Sequence, residues 1–431
     1  MNNKSRQLVW LFTYASRVLA VVVGLSVIGV LFTARPETHI TLEAGTEGGL
    51  FDVMVHELAG NLSRYGIKTT VVNRPDSLRI VDDIANSKSK VDAGFIASDV
   101  PKSDYDTIQQ LGTVMLAPVY LIAHKESNVT SITDFKNRTI TLYPKDSAAW
   151  DACQYVLGNY GATPSPARTQ YGNGKTIVEN VTTGVTDVGC FIDVPSGANL
   201  EYAKTILNPL TNPNLRYIEI PQALALQARK DYLRPSTVPS GAFRVHPPRP
   251  DTDIETTSAS ITFVAKNNLP RELVIMISHK LAEQYRGSTS ANQAGELPNT
   301  KYLNLPAFRE STDIYSNGLP WLYRKFSYRT AGFLDKFFGR YGIVLTLLFI
   351  VLSFTSMFGL PSPYGLIVGT RPRRMLLIVE AIDRRTQQNG SLSRSDRRKL
   401  ETIERWLNKE SAGLDGLEDR LKSVRASHRS D

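Results

Sequence analysis

ITLEAGTEGGLF, residues 40–51, packs three structural instructions into one short stretch. Residues 40–44 read as a β-strand. Gly45-Thr46-Glu47-Gly48-Gly49 is a glycine-rich turn, and Phe51 opens an apolar series with Met54, Val55, Leu58 and Leu62. That series recurs at i, i+3, i+4, i+7 and i+11, one face of a helix. Glycines let a backbone approach a ligand closely, and the free N–H groups of a helix start attract a carboxylate or phosphate. A plain tight turn needs the same residues. The stretch is not GxGxxG and no GK[ST] follows, which argues against a nucleotide site.

Working outward, residues 67–72, 91–96, 114–123, 138–143, 187–193, 216–220 and 259–265 also read as strands. Helices are predicted over 147–157, 175–183, 221–233 and 270–285. Strands alternating with helices predict an α/β fold with mostly parallel sheets covered on both faces. So many strands suit two small lobes better than one wide sheet. Ligands in such folds bind where strand C-termini meet helix N-termini. Tyr143-Pro144-Lys145-Asp146-Ser147-Ala148-Ala149-Trp150 repeats the strand–turn–helix junction in the second lobe, with Asp146 or Ser147 as a cap.

The chain has 431 residues, 42% hydrophobic and 21% charged, and a formal charge of +9. Residues 36–339 carry 30 Lys+Arg against 31 Asp+Glu, whereas 371–431 carry 15 against 10. The positive charge flanks the two most apolar stretches, a membrane pattern that argues against a nucleic-acid partner. Tyr341 to Leu360 is an uncharged run of 20 residues, long enough to span a bilayer, and Pro361 and Pro363 stop it. Val18 to Phe32 is a second apolar run behind Lys4, Arg6 and Arg17. Phe32 does not suit a cleavage site, which favours an uncleaved anchor over a signal peptide. Two spans place both termini on one side. Lys4, Arg6, Arg371, Arg373 and Arg374 favour the cytoplasm, while Arg324, Lys325, Arg329, Lys336 and Arg340 oppose that assignment. Cys153 and Cys190 are the only cysteines. Outside the cytoplasm they would pair; two separately buried thiols are the alternative. No CxxC or Cys/His spacing points to a metal.

Six short motifs in order resemble the TAXI family, the solute receptors of TRAP transporters, over residues 38–290. They are Gly45 to Phe51, Asp76-Ser77, Asp92 to Asp99, Ser131 to Arg138, Asp187 to Phe191 and Val238 to Phe243. The chain departs from the family's pattern at Asp76, at Ile80 and at Asp146-Ser147-Ala148-Ala149. The resemblance implies a two-lobed type II periplasmic-binding-protein fold, a small carboxylate or amino acid as ligand, and TRAP-type membrane subunits as partners. The expected layout is an anchor segment over 1–35, lobe 1 over 36–125, lobe 2 over 126–234 and a return to lobe 1 over 235–290. A juxtamembrane segment over 291–340, a transmembrane helix over 341–360 and a cytoplasmic helical tail over 361–431 complete it. Hinges are expected near 123–126 and 234–245. The expected location is a bacterial inner membrane with the binding domain outside the cytoplasm.

The candidate ligand-binding residues are Thr46, Gly48, Gly49, Phe51, Ser77, Ser98 and Asp99 in lobe 1, and Ser147, Trp150 and Asp193 in lobe 2. Asp99 and Asp193 would repel an anion if they faced the cleft, which would favour an amine-bearing ligand. In the tail, Met375, Ile378, Val379 and Ile382 form one apolar stripe. Leu400, Ile403, Trp406 and Leu407 form a second, and Leu414, Leu417, Leu421 and Val424 a third. The tail offers a docking surface for a partner, and its basic residues could contact anionic lipid. Scattered histidines and the lack of GxSxG or HExxH argue against an enzyme, and no cofactor is expected. A transport receptor is the leading expectation; a sensor that signals through the tail is the alternative.

Overall fold

The computed structural model describes residues 34–339, 342, 378–382, 384–385 and 394–407. Among these no helix is long and apolar enough to cross a membrane. Both predicted spans (apart from Gly342) and the tail's third stripe lie outside the described residues.

Ten strands make one sheet, eight of them on a continuous path. They are β1 His39–Ala44, β2 Lys68–Asn73, β3 Ala93–Ile96, β4 Ile108–His124, β5 Ile140–Leu142, β6 Thr169–Tyr171, β7 Val188–Ile192, β8 Leu215–Ile218, β9 Leu233–Val238 and β10 Ile254–Lys266. Their order is β2-β1-β3-β10-β4-β7-β5-β6, with β8 beside β4 and β9 beside β10. The helices that matter for the site are α1 Leu50–Ser63, α2 Ile80–Ala85, α3 Ala148–Asn159 and α4 Gly174–Thr182.

The expected parallel pairing holds at β1–β2, β1–β3, β5–β6 and β5–β7. The sheets are nevertheless mixed, because β10 runs antiparallel to β3, β4 and β9, and β4 runs antiparallel to β7 and β8. Strand–helix alternation along a chain does not reveal which strands turn back. The predicted strand 114–123 is part of a much longer one. Ile108 to Pro118 of β4 pairs with β10, and Val119 to Ala123 pairs with β7. The crossing between lobes therefore falls at Pro118–Val119, not at 123–126. Proline contributes no N–H to a ladder, which suits the point where β4 changes partners. The result is two α/β lobes that share the long strands β4 and β10.

Local chemistry explains the elements. The buried residues of α1 include Met54, Val55, Leu58 and Leu62, the predicted stripe. The predicted helix 221–233 is only Ala223–Gln227, and Leu233 already begins β9. β9 pairs only with β10, so Pro235 is tolerated at that edge. Residues 297–337 are not a bare connector. Gln110 Nε2 donates to the carbonyls of Leu303 (2.8 Å) and Leu305 (2.6 Å) in the interior. Lys336 Nζ lies 2.7 Å from Glu272 Oε1, and Tyr328 donates its hydroxyl to the Glu37 carbonyl at 2.6 Å. This segment is thus built onto lobe 1.

β1 carries one buried charge. Glu43 is fully buried, and neither carboxylate oxygen has a hydrogen-bond partner. Arg74 Nε is 3.4 Å from Glu43 Oε1 but 3.1 Å from Asp83 Oδ2, so two carboxylates share one guanidinium. Burial first, then the Asp83 charge, pushes the Glu43 carboxyl up to about 7. The folded state therefore holds this proton more tightly than the unfolded chain. Stability from it is fully present below the unfolded pKa near 4.5 and is lost as pH rises through about 7. Glu43→Gln should remove that slope and raise stability above pH 7 by roughly 2 kcal/mol. Melting curves from pH 4.5 to 8 check this; an unchanged slope refutes it.

Candidate functional site

A cavity of about 260 Å³ lies where β1 and β5 end and α1 and α3 begin. Lobe 1 contributes Gly45 to Phe51, Ser77 and Ala97. Lobe 2 contributes Tyr143, Pro144, Ser147 to Ala149, Asn173, Ile192 and Tyr202, and Ile261 of β10 adds to the wall. The two strand–turn–helix junctions singled out in the sequence thus share one cavity.

The lobe 1 turn depends on glycine at Gly48, whose φ of +73° is left-handed. Asp52 braces the turn: its Oδ2 accepts from the Gly48 amide at 2.9 Å, and its Oδ1 accepts from Asn73 Nδ2 at 2.6 Å. No side chain caps α1. The Leu50 and Phe51 amides have no hydrogen-bond partner among the described residues, as expected for the first turn of a helix. On lobe 2, Ser147 caps α3 by accepting from the Trp150 amide at 3.1 Å. The lobes touch directly here. Ser77 Oγ accepts from the Ala148 amide at 3.0 Å, a hydrogen bond that closes one side of the cavity.

Behind the lobe 2 wall sits Asp193, which is fully buried. Its Oδ2 accepts from the hydroxyls of Tyr143 (2.9 Å) and Tyr202 (3.2 Å), and its Oδ1 accepts from the Val194 amide at 2.8 Å. Burial pushes the carboxyl up to about 6, opposed by these three hydrogen bonds. The same burial, with the Asp193 charge, raises both phenols well above the usual tyrosine range.

Of the candidate residues, Thr46, Gly48, Gly49, Phe51, Ser77 and Ser147 line this cavity. Ser98, Asp99, Trp150 and Asp193 are not on its wall. Asp99 instead pairs with Lys230 at 3.3 Å. Trp150 packs against the main core, where its indole nitrogen is buried without a partner. Asp193 reaches the cavity only through the two tyrosines. Tyr143, Asn173 and Tyr202 line the cavity as well, although none is among the candidates. Tyr143 opens the quoted junction and Asn173 sits in a Gly-Asn-Gly turn, so both had a local signal. Tyr202 had none, because only folding brings it to Asp193.

Cys153 of α3 and Cys190 of β7 are disulfide-bonded, with Cα atoms 6.0 Å apart. Among the described residues no three His, Cys, Asp or Glu side chains gather as a metal site would require. No family model matches the chain. Several solved structures are similar at low identity. One is a histidine kinase sensor domain with similarity to periplasmic binding proteins, at 10% identity and TM-score 0.34, covering 57% of this chain and 90% of the other. Another is holo ArgBP from T. maritima, at 10% identity and TM-score 0.34, covering 58% and 92%. A third is a Xanthomonas citri protein bound to ATP, at 8% identity and TM-score 0.36, covering 70% and 98%. Likenesses this distant say nothing of ligand or role, and the two-lobed architecture rests on the strand order itself.

Proposed function

We propose that this chain is a membrane-tethered, extracytoplasmic solute receptor that closes its two lobes around a small acid or amino acid for a TRAP-type transport system. The observation that carries the proposal is the cavity shared by the two junctions, with Ser77 of one lobe bonded to Ala148 of the other. A site divided between lobes that share long strands works by closure around its ligand. Thr46, Gly48, Gly49, Phe51, Ser77 and Ser147 are its proposed ligand contacts. The disulfide supports a location outside the cytoplasm, because such bonds persist in oxidising compartments. Tethering is supported by the segment before Tyr341. Trp321 and Phe326 are exposed there, 64% and 44%, beside Arg324, Lys325 and Arg329. Aromatic and basic residues next to an apolar run mark a membrane–water interface.

One observation favours a sensing role for the same domain. In the tail, Val379 and Ile382 of one predicted stripe and Leu400 and Ile403 of the next are buried, whereas Ile378 is 42% exposed. A folded tail is what an output element would need.

Thermal melting of the detergent-solubilised full chain against small acids and amino acids tests the receptor proposal. A ligand at a hundred times its Kd should stabilise by about 2.7 kcal/mol. If no member of the library raises the melting temperature, the proposal fails. Uptake that persists after deletion of residues 364–431 would favour a signalling tail over a transporter-docking one.

A further inference from the structure

The two ends of the cavity have opposite hydrogen-bonding character. At the lobe 2 end the hydroxyl protons of Tyr143 and Tyr202 are both directed to Asp193 Oδ2. A phenol that donates its single proton inward has only lone pairs left to offer outward. Burial pushes Asp193 up to about 6, so at pH 7 it is mainly a carboxylate lying directly behind those two oxygens. This end therefore accepts hydrogen bonds and carries negative charge. At the lobe 1 end the uncapped start of α1 presents the unpartnered Leu50 and Phe51 amides, which donate.

Of the remaining polar wall groups, Ser77 accepts from the Ala148 amide and Asn173 Oδ1 accepts from Thr176, so each keeps a donor, whereas two others are committed. Thr46 donates its hydroxyl to the Pro75 carbonyl at 3.2 Å, and Ser147 donates to the Pro144 carbonyl at 2.8 Å. Neither is left to donate to a ligand. No Lys or Arg lines the cavity, and its one charged lining residue is Glu47. Asp52 already sits in the first turn of α1, where its charge opposes a second anion. Between the poles the wall is apolar, formed by Phe51, Ala97, Ala149, Ile192 and Ile261.

Resting on the receptor reading above, we infer that the cavity takes a zwitterionic amino acid with an uncharged, apolar side chain. Its ammonium group lies against Tyr143 and Tyr202 in front of Asp193, and its carboxylate lies at the start of α1. A dicarboxylate is rejected because its second charge would meet no cation. A monocarboxylate without an amine leaves the acceptor pole desolvated and unpaired, which costs more than a missing contact.

Isothermal titration calorimetry on the solubilised full chain tests this. The probes are alanine, valine, leucine and methionine, the amine-free 4-methylpentanoate, and glutamate. At least one neutral amino acid should bind, with 4-methylpentanoate and glutamate weaker by on the order of 10- to 100-fold. Tyr202→Phe, which deletes one acceptor, should weaken the amino acid about tenfold and leave 4-methylpentanoate unchanged. Asp193→Asn should narrow the same preference; if its melting shows that it does not fold, Tyr202→Phe carries the test. An amine-free acid or glutamate that binds as tightly as every neutral amino acid overturns the inference while the receptor reading stands. Equal losses for both probe types in Tyr202→Phe also overturn it. If none of the probes and no member of the wider library binds, both readings fall together.

Discussion

Gly112→Ala is expected to destabilise the binding domain by about 3–5 kcal/mol, combining backbone strain with overpacking. Gly112 lies in β4 with φ at +140°, a backbone conformation that L side chains rarely adopt. A Cβ there would stand 2.8 Å from the Asn299 carbonyl oxygen and 2.9 Å from the Tyr315 ring. The first of these is backbone and cannot swing aside. Thr113 and Asn299 exchange both backbone hydrogen bonds at this point, at 2.7 and 3.1 Å. The β4–β10 register also slips here, on either side of Thr262–Phe263. An added methyl group should therefore strain β4 and loosen residues 297–337 from lobe 1 together. Gly161→Ala is the control. Its φ is +65° but a Cβ there meets nothing within 4 Å, so only the left-handed backbone cost of about 1 kcal/mol applies. Chemical denaturation should separate the two variants clearly, with proteolysis of Gly112→Ala cutting first after residue 297. Equal stability of the two variants would refute the account.

The second large effect is expected at the disulfide. Cys153 and Cys190 are 37 positions apart, fully buried, and join α3 to β7. Closing a loop of that length removes enough unfolded-state entropy to stabilise by roughly 3–4 kcal/mol. Cys153→Ala/Cys190→Ala should lower the melting temperature by about 10 °C. Reductant should shift the parent protein in the same direction and leave the double variant unmoved. Because α3 begins at the cavity with Ser147 and Ala148, ligand binding should weaken as well. A parent protein whose melting ignores reductant would show that the bond does not hold this lobe together.

Several of these features are local in the chain. The stripe on α1, the glycine turn before it and the matching junction at Tyr143–Trp150 are local patterns, and each occurs where periodicity and turn chemistry put it. That Thr46, Gly48, Gly49, Phe51, Ser77 and Ser147 could share one cavity was legible because a cavity at strand ends is walled by the loops immediately following. Asp99 and Asp193 show the limit. Both are acidic residues after strands, indistinguishable in pattern, yet Asp99 pairs with Lys230 while Asp193 is held behind two phenols. Lys230 lies far along the chain from Asp99, as Tyr143 does from Asp193, and no periodicity records such pairings.

The sequence by itself determined the α/β class, the two junctions and the apolar runs at either end, since these follow from composition, spacing and length within single elements. Tertiary structure decided the mixed sheet, the crossing at Pro118–Val119, the docking of residues 297–337 on lobe 1 and the pairing of Tyr143 and Tyr202 with Asp193. Each of these depends on which distant groups meet. The direction of a returning strand and the fate of a hydroxyl proton are set by the partner across the contact, not by neighbours along the chain.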